Sequence, residues 1–149
     1  MLSILVPIYN CDVSELIDHL LIQSKRANVP IEVIGIDDSS SDKEITKKNR
    51  QAFSKKNCAF FENEINLGSV KTRNLLANKA QFSWLLFLDS DVIPNQSDFI
   101  DNYYKVIQKQ KDETVFFGGY NYSSTLPKKS TTLRWYYGHN RENAVPEKR

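Results

Sequence analysis

With 149 residues, 40% hydrophobic and 26% charged, the chain has the size and composition of one globular domain. Its net charge of +2 is uneven: residues 1–127 sum to −2 and residues 128–149 to +4, so a basic end could meet phosphate, an anionic acceptor or a membrane surface. Cys11 and Cys58 lack metal-ligand spacing and a disulfide framework, the start lacks a signal peptide's basic region, and no apolar run approaches the roughly 20 residues that cross a bilayer. Cytoplasmic location is the default, with peripheral association at the inner face of a membrane left open.

The elements alternate strand and helix. Residues 2–7 form a short apolar run stopped by Pro7, and residues 13–24 place Val13, Leu16, Ile17, Leu20 and Leu21 on one helical face. Asp12 and Glu15 have capping-box spacing before that helix. Residues 31–36 read as a buried strand ending at Asp37-Asp38, and Ser41 with Glu44 opens a second helix to about Lys55. Residues 58–61 suit a third strand, Gly68 precedes a helix over 69–79, and 84–88 is the fourth strand. Ser97 caps a helix carrying Phe99, Ile100, Tyr103, Val106 and Ile107, and 114–117 reads as a fifth strand closed by Gly118-Gly119. After Gly119 the pattern loses its period.

This order predicts an α/β fold, a mostly parallel Rossmann-like sheet with helices on both faces. Residues 1–119 form the core. Residues 120–149 are a loop-rich or incomplete segment that reads as cut from a longer protein. Ligands in such sheets sit beyond the carboxyl ends of the strands, which gathers Pro7–Asn10, Asp37–Ser41, Glu62–Gly68 and Asp89–Asp91 on one rim.

Asp89 and Asp91 carry the strongest chemical signal. Alternate residues of an extended segment face one side, so two carboxylates one residue apart converge. A divalent cation with oxygen ligands compensates their repulsion and brings phosphate with it. Asp38 could accept from a base N–H, Tyr9 could stack on a base, and Arg73 could offer a planar donor fork. Each also has a plain reading, as a cap, as rim packing and as a solvated helical arginine.

Taken in order, Ser3–Asn10 (Ser-Ile-Leu-Val-Pro-Ile-Tyr-Asn), Asp37–Asp42, Asn66-x-Gly68 with Arg73-Asn74, and Leu88–Asp91 with Pro94 resemble the family-2 nucleotide-sugar glycosyltransferases of the GT-A fold. The resemblance covers residues 2 to about 119, and Leu133–Gly138 is similar to the stretch after the donor half in bacterial members. It implies inverting transfer from a nucleoside-diphosphate sugar, UDP most of all, to a hydroxyl of a glycan or lipid-linked acceptor in polysaccharide biosynthesis. Pro7, Tyr9, Asp38, Gly68, Arg73, Asp89 and Asp91 fall in the donor-binding set. Asp38 would accept from the uracil imide, Asp89 would contact the ribose or the metal, and Asp91 would ligate Mn2+ or Mg2+ on the diphosphate. A bridging metal stabilises the departing diphosphate as a Lewis acid, which makes the pair leaving-group residues.

Three positions depart from the family pattern. Val92 stands where many relatives carry a third acid, and Ser39 where they usually carry Gly. The acceptor base of the family lies in a later region than any acid here, and neither Glu142 nor Glu147 sits in a matching motif. Arg134-Trp135 reads as packing. Two other functions fit parts of the pattern. One is a nucleotide-binding module without turnover. The other is a haloacid-dehalogenase-type phosphohydrolase, which shares the strand ending in Asp-x-Asp but needs a further acid pair after a later strand. An acidic rim argues against nucleic acid.

Overall fold

The computed structural model describes residues 1–110, 115, 116, 118–127 and 129–142. The chain divides into two compact units, Met1–Lys109 and Gln110–Arg149.

In the first unit, runs rich in Ile, Val and Leu form strands β1 (Leu2–Ile8), β2 (Ile31–Asp37), β3 (Cys58–Glu62) and β4 (Trp84–Phe87). They make one parallel sheet in the order β3-β2-β1-β4, with Leu2 opposite both Ile31 and Trp84. Both central strands are buried on both faces, which is why they read as continuous apolar runs rather than alternating ones. Helices α1 (Ser14–Ala27), α2 (Lys43–Ala52), α3 (Ser69–Lys79) and α4 (Phe99–Lys109) cross between and after the strands.

Leu2, Ile4, Val6, Ile8, Ile31 and Val33 pack with Leu16, Ile17 and Leu20 of α1, Ala52 and Phe53 at the end of α2, and Ile100 and Ile107 of α4. On the opposite face Leu5, Ile34 and Ile36 meet Leu76 of α3. Helices therefore cover both faces, as expected. Leu76 is fully buried, and its burial contributes about 1.5–3 kcal/mol toward holding α3 in place. Gly35 leaves room for a ring: a Cβ there would lie 2.4 Å from Phe53. Glu32, also buried, accepts from the Ser3 hydroxyl at 2.5 Å and the Gln81 N–H at 2.7 Å, which fastens the entry to β4. β3 and β4 are the edge strands, and on β4 Leu85 and Phe87 are exposed.

Several expected boundaries move. β1 does not stop at Pro7 but runs to Ile8. The Leu5 carbonyl points to β4, accepting from Leu88, so position 7 points the same way, past the last residue of that strand. No partner there needs the N–H that proline lacks. The Asp12–Glu15 capping box does not form. Asp12 accepts from Ser14 N–H, and Val13 N–H goes to Asn49 Oδ1 at 2.9 Å. For α2 the cap is Asp42, which accepts from Glu44 and Ile45, because Asn10 takes Ser41. The helix ends at Ala52. Asp98, not Ser97, receives the first helical bond of α4, from Asn102. Of the expected fifth strand, Thr114 and Phe117 lie outside the described residues, and Val115 and Phe116 have no regular structure.

The second unit holds a short 3-10 turn (Lys129–Thr131) and helix α5 (Thr132–Arg141). Gly138 abuts the Tyr122 ring, and Trp135 donates to the Ser123 carbonyl at 2.7 Å while stacking on His139. No helix among the described residues is long and apolar enough to cross a membrane.

Candidate functional site

All four strands end on one rim, and their order reverses between β1 and β4. At that reversal the loops after the two strands part, which is where open α/β sheets receive ligands. The Cys11 thiol donates to the Ser90 carbonyl at 3.2 Å and so ties the loop after β1 to the loop after β4. Pro7 lies just inside β1, and Tyr9, 54% exposed, projects beyond it. Asn10 has a positive φ of 48° and folds back on the next loop. Its Oδ1 accepts from Ser41 N–H at 2.8 Å and Asp42 N–H at 3.3 Å, and its own N–H donates to Ser40 Oγ at 2.8 Å. The β1 and β2 loops thus brace each other.

Asp37 and Asp38, adjacent in sequence, face different partners. Asp37 turns toward α2, accepting from Ser40 N–H at 2.7 Å and from the Thr46 hydroxyl at 3.1 Å. Asp38 turns toward the loop between β3 and α3. It accepts from Asn63 Nδ2 at 2.7 Å, Leu67 N–H at 2.9 Å and Gly68 N–H at 2.8 Å. Burial pushes the Asp38 carboxyl up, but those donors, together with the Thr72 hydroxyl, outweigh it and hold the acid below the ordinary carboxylate range. Asp38 is therefore ionised at neutral pH.

Gly68 makes this clamp possible. Its φ of 82° and ψ of 160° belong to a region that only glycine enters freely, and this conformation turns its N–H onto Asp38 while it opens α3. One turn along α3, Arg73 binds Asp89 through one guanidinium nitrogen and the Ser69 hydroxyl through another. Both groups of the Arg73–Asp89 pair are partly open to solvent, so it is worth about 0–1 kcal/mol and yields readily to a competing charge. Asp91, exposed, bonds to no other described residue.

The structure thus joins Asp38 to Gly68 and Arg73 to Asp89 directly, with α3 linking the two pairs. Pro7, Tyr9 and Asp91 share the rim without a hydrogen bond to them. Sequence reasoning missed Asn63 and the N–H of Leu67 as partners of Asp38, the bracing by Asn10, and the Cys11 bridge. Of these only Asn10 carried a signal, as the polar end of Pro-Ile-Tyr-Asn.

No group of three or more His, Cys, Asp or Glu side chains converges to hold a metal among the described residues. The two rim acids do not continue the strand as expected from their spacing: β4 ends at Phe87, and residues 90 and 91 form a turn in which Val92 N–H donates to the Asp89 carbonyl at 3.3 Å. Both carboxylates are exposed and offer the oxygen donors that a hard cation takes. A cavity of about 290 Å³ opens between the loops that follow β2 and β3, lined by Asp37, Ser39, Lys43, Thr46, Glu62 and Asn63 among others. It lies beside α2 and away from the β1/β4 reversal, so the reversal, where the rim carboxylates stand, is the better candidate. In the second unit Glu142 accepts from Arg134 and from the Tyr122 hydroxyl, both at 2.6 Å, and the arginine first and then the tyrosine lower its pKa. Both carboxylate oxygens of Glu142 are thereby engaged in fastening α5 to its neighbours.

The chain is 38% identical over 104 residues to an uncharacterized glycosyltransferase of Haemophilus influenzae, covering 68% of this chain and 38% of that one. A second uncharacterized glycosyltransferase of that organism is 36% identical over 93 residues, and the match covers 29% of its length. The chain thus spans about a third of the relatives it matches. Among solved structures, S. aureus TarS (residues 1–349) in complex with UDP-GlcNAc aligns with a TM-score of 0.57 and 29% identity, over 72% of this chain and 31% of that one. The mannosyltransferase PcManGT of Pyrobaculum calidifontis, in complex with GDP-Man and Mn2+, aligns with a TM-score of 0.62 over 89% of this chain and 38% of that one. At 22% identity that likeness speaks for the shared GT-A fold alone. The family model for glycosyl transferase family 2 matches residues 3–148, nearly the whole chain, and the chain belongs to that family.

Proposed function

We propose that this chain is the donor-binding part of an inverting glycosyltransferase that holds a UDP-sugar at the β1/β4 reversal and passes the sugar to an acceptor hydroxyl of a glycan or lipid-linked glycan. The observation that carries the reading is the pair of clusters on α3. Asp38 is held ionised beside Gly68 at one end, and Arg73 meets Asp89 one turn further on. The 29% identity to TarS, solved in complex with UDP-GlcNAc, supports a uridine nucleotide.

In this reading Asp38 accepts the imide N–H of uracil and Tyr9 lies against the ring. Asp89 and Asp91 would hold Mn2+ or Mg2+ against the diphosphate, where the metal neutralises charge on the leaving group. With a cation held there, Arg73 would release Asp89 and would be free to contact the diphosphate. The acceptor base is not assigned to any residue of this chain. Glu142, committed to Arg134 and Tyr122, is a fastening group of the second unit.

Calorimetric titration with UDP, GDP and dTDP, with and without Mn2+, tests the proposal. UDP should bind most tightly, more tightly with Mn2+, and Asp91→Ala should remove the metal's contribution and leave metal-free binding unchanged. Absence of UDP binding with Mn2+ present, or equal Mn2+ dependence in Asp91→Ala, overturns it.

A further inference from the structure

The thiol of Cys11 meets the chain at Ser90, the residue between Asp89 and Asp91. The last sheet bond before them is at Leu88, whose N–H donates to the Leu5 carbonyl at 3.1 Å. Beyond it the chain closes a turn on itself, Val92 N–H to the Asp89 carbonyl. Among the described residues, two bonds then join residues 89–91 to the rest of the unit: Arg73 to the Asp89 carboxylate, and the Cys11 thiol to the Ser90 carbonyl. The first holds a partly exposed side chain, and a cation drawing on Asp89 competes with it directly. The second holds main chain, and a cation on the carboxylates leaves it in place.

Cys11 is itself fixed from α2. Asn49, 0% exposed, grips the chain on both sides of Asp12: its Nδ2 donates to the Cys11 carbonyl at 2.8 Å, and its Oδ1 accepts from Val13 N–H at 2.9 Å. Both ends of the amide are engaged, which sets its orientation. The other carbonyl near the thiol, that of Asp12, stands 4.0 Å away against 3.2 Å for Ser90. We propose that Cys11 is a positioning residue for the rim acids: set in place by Asn49, its thiol fixes the Ser90 carbonyl and with it the turn that presents Asp89 and Asp91 to a divalent cation. This rests on the reading of that pair as cation-holding acids. Groups that orient metal ligands govern metal affinity without touching the metal. Asp38 is held by other loops, so loosening the turn weakens the cation end of the site and spares the nucleobase end.

Cys11→Ala removes the thiol and keeps both Asn49 bonds, which go to main chain. Its urea midpoint should match the wild type, and its Kd for UDP without metal should stay within about twofold. The gain in UDP affinity on adding Mn2+ should fall about three- to tenfold, the equivalent of one modest hydrogen bond. Cys11→Ser, which restores a donor, should recover most of that gain. A packing role would instead lower the urea midpoint and leave the Mn2+ gain intact; that result, or an equal loss with and without Mn2+, overturns the proposal. In the protein free of metal and nucleotide, the Val92 amide should exchange its hydrogen faster in Cys11→Ala, while the Val13 amide keeps its rate. If Mn2+ does not tighten UDP binding in the wild type, the cation reading falls, and this exchange alone decides whether Cys11 holds the turn. Faster exchange at Val92 then supports the hold, and an unchanged rate overturns it.

Discussion

Replacing Asp38 by Asn strikes the clamp at its centre. The wild-type carboxylate is 5% exposed and receives three N–H donors at 2.7–2.9 Å. Asparagine offers one acceptor oxygen and, in place of the other, an NH2. With its oxygen toward Asn63 and Leu67, the new amide sets donor against donor at Gly68; flipped, it confronts two donors instead of one. The first orientation loses one charge-assisted bond, about 1.5–3 kcal/mol. Gly68 N–H retains Asn66 Oδ1 at 3.1 Å, which keeps that N–H from being fully unpaired. The expected loss is therefore about 2 kcal/mol in urea unfolding at pH 7, followed by tryptophan fluorescence.

The pH dependence follows from the sign of the shift. The folded pKa of Asp38 lies below the ordinary carboxylate value. Its contribution is fully present above about pH 4, the unfolded value, and is lost as the pH falls through the folded value. The gap between wild type and Asp38→Asn should hold from pH 7 to 5 and narrow only in acid. Equal urea midpoints at pH 7, or a gap that closes between pH 7 and 5, would refute the clamp.

Two backbone predictions concern the same rim. Gly68→Ala meets no steric obstacle, since nothing lies within 4 Å of the added Cβ, so any loss comes from its φ of 82° and ψ of 160° alone. It should destabilise by about 1–3 kcal/mol, read as a lower urea midpoint; an unchanged midpoint means the loop adopts another conformation at no cost. Ser39 has a positive φ of 64°. Ser39→Gly removes a left-handed penalty of about 1–2 kcal/mol at an entropic cost of about 0.5–1, for a net gain of about 0.5–1 kcal/mol. Tm should rise by about 1–4 °C for a chain of this length, and a fall in Tm would show that the hydroxyl, 3.5 Å from the Glu64 carbonyl, matters more than the backbone.

The sheet and the start of α3 were legible because apolar runs and Gly68 act locally. The caps of α1 and α2 were not. Each helix start offers several polar residues in a row, and the choice among them is made by side chains far off in sequence, Asn49 for Val13 and Asn10 for Ser41. The rim residues could be placed from the strand ends alone. What Asp38 does there could not, because two of its three hydrogen-bonded partners are backbone N–H groups about 30 residues away, and a backbone N–H has no signature in the sequence.

The grip of Asp38 on main chain rather than side chains has a consequence for how such a site can diversify. The N–H of residue 67 is the same whatever side chain it carries, so the bracket constrains the glycine at 68 and the amides at 63 and 66. Glu64, Ile65 and Leu67 can be exchanged without loosening the frame that presents them. The loop is a replaceable tip on a fixed mount, and new ligand preferences can be tried there with little risk to folding.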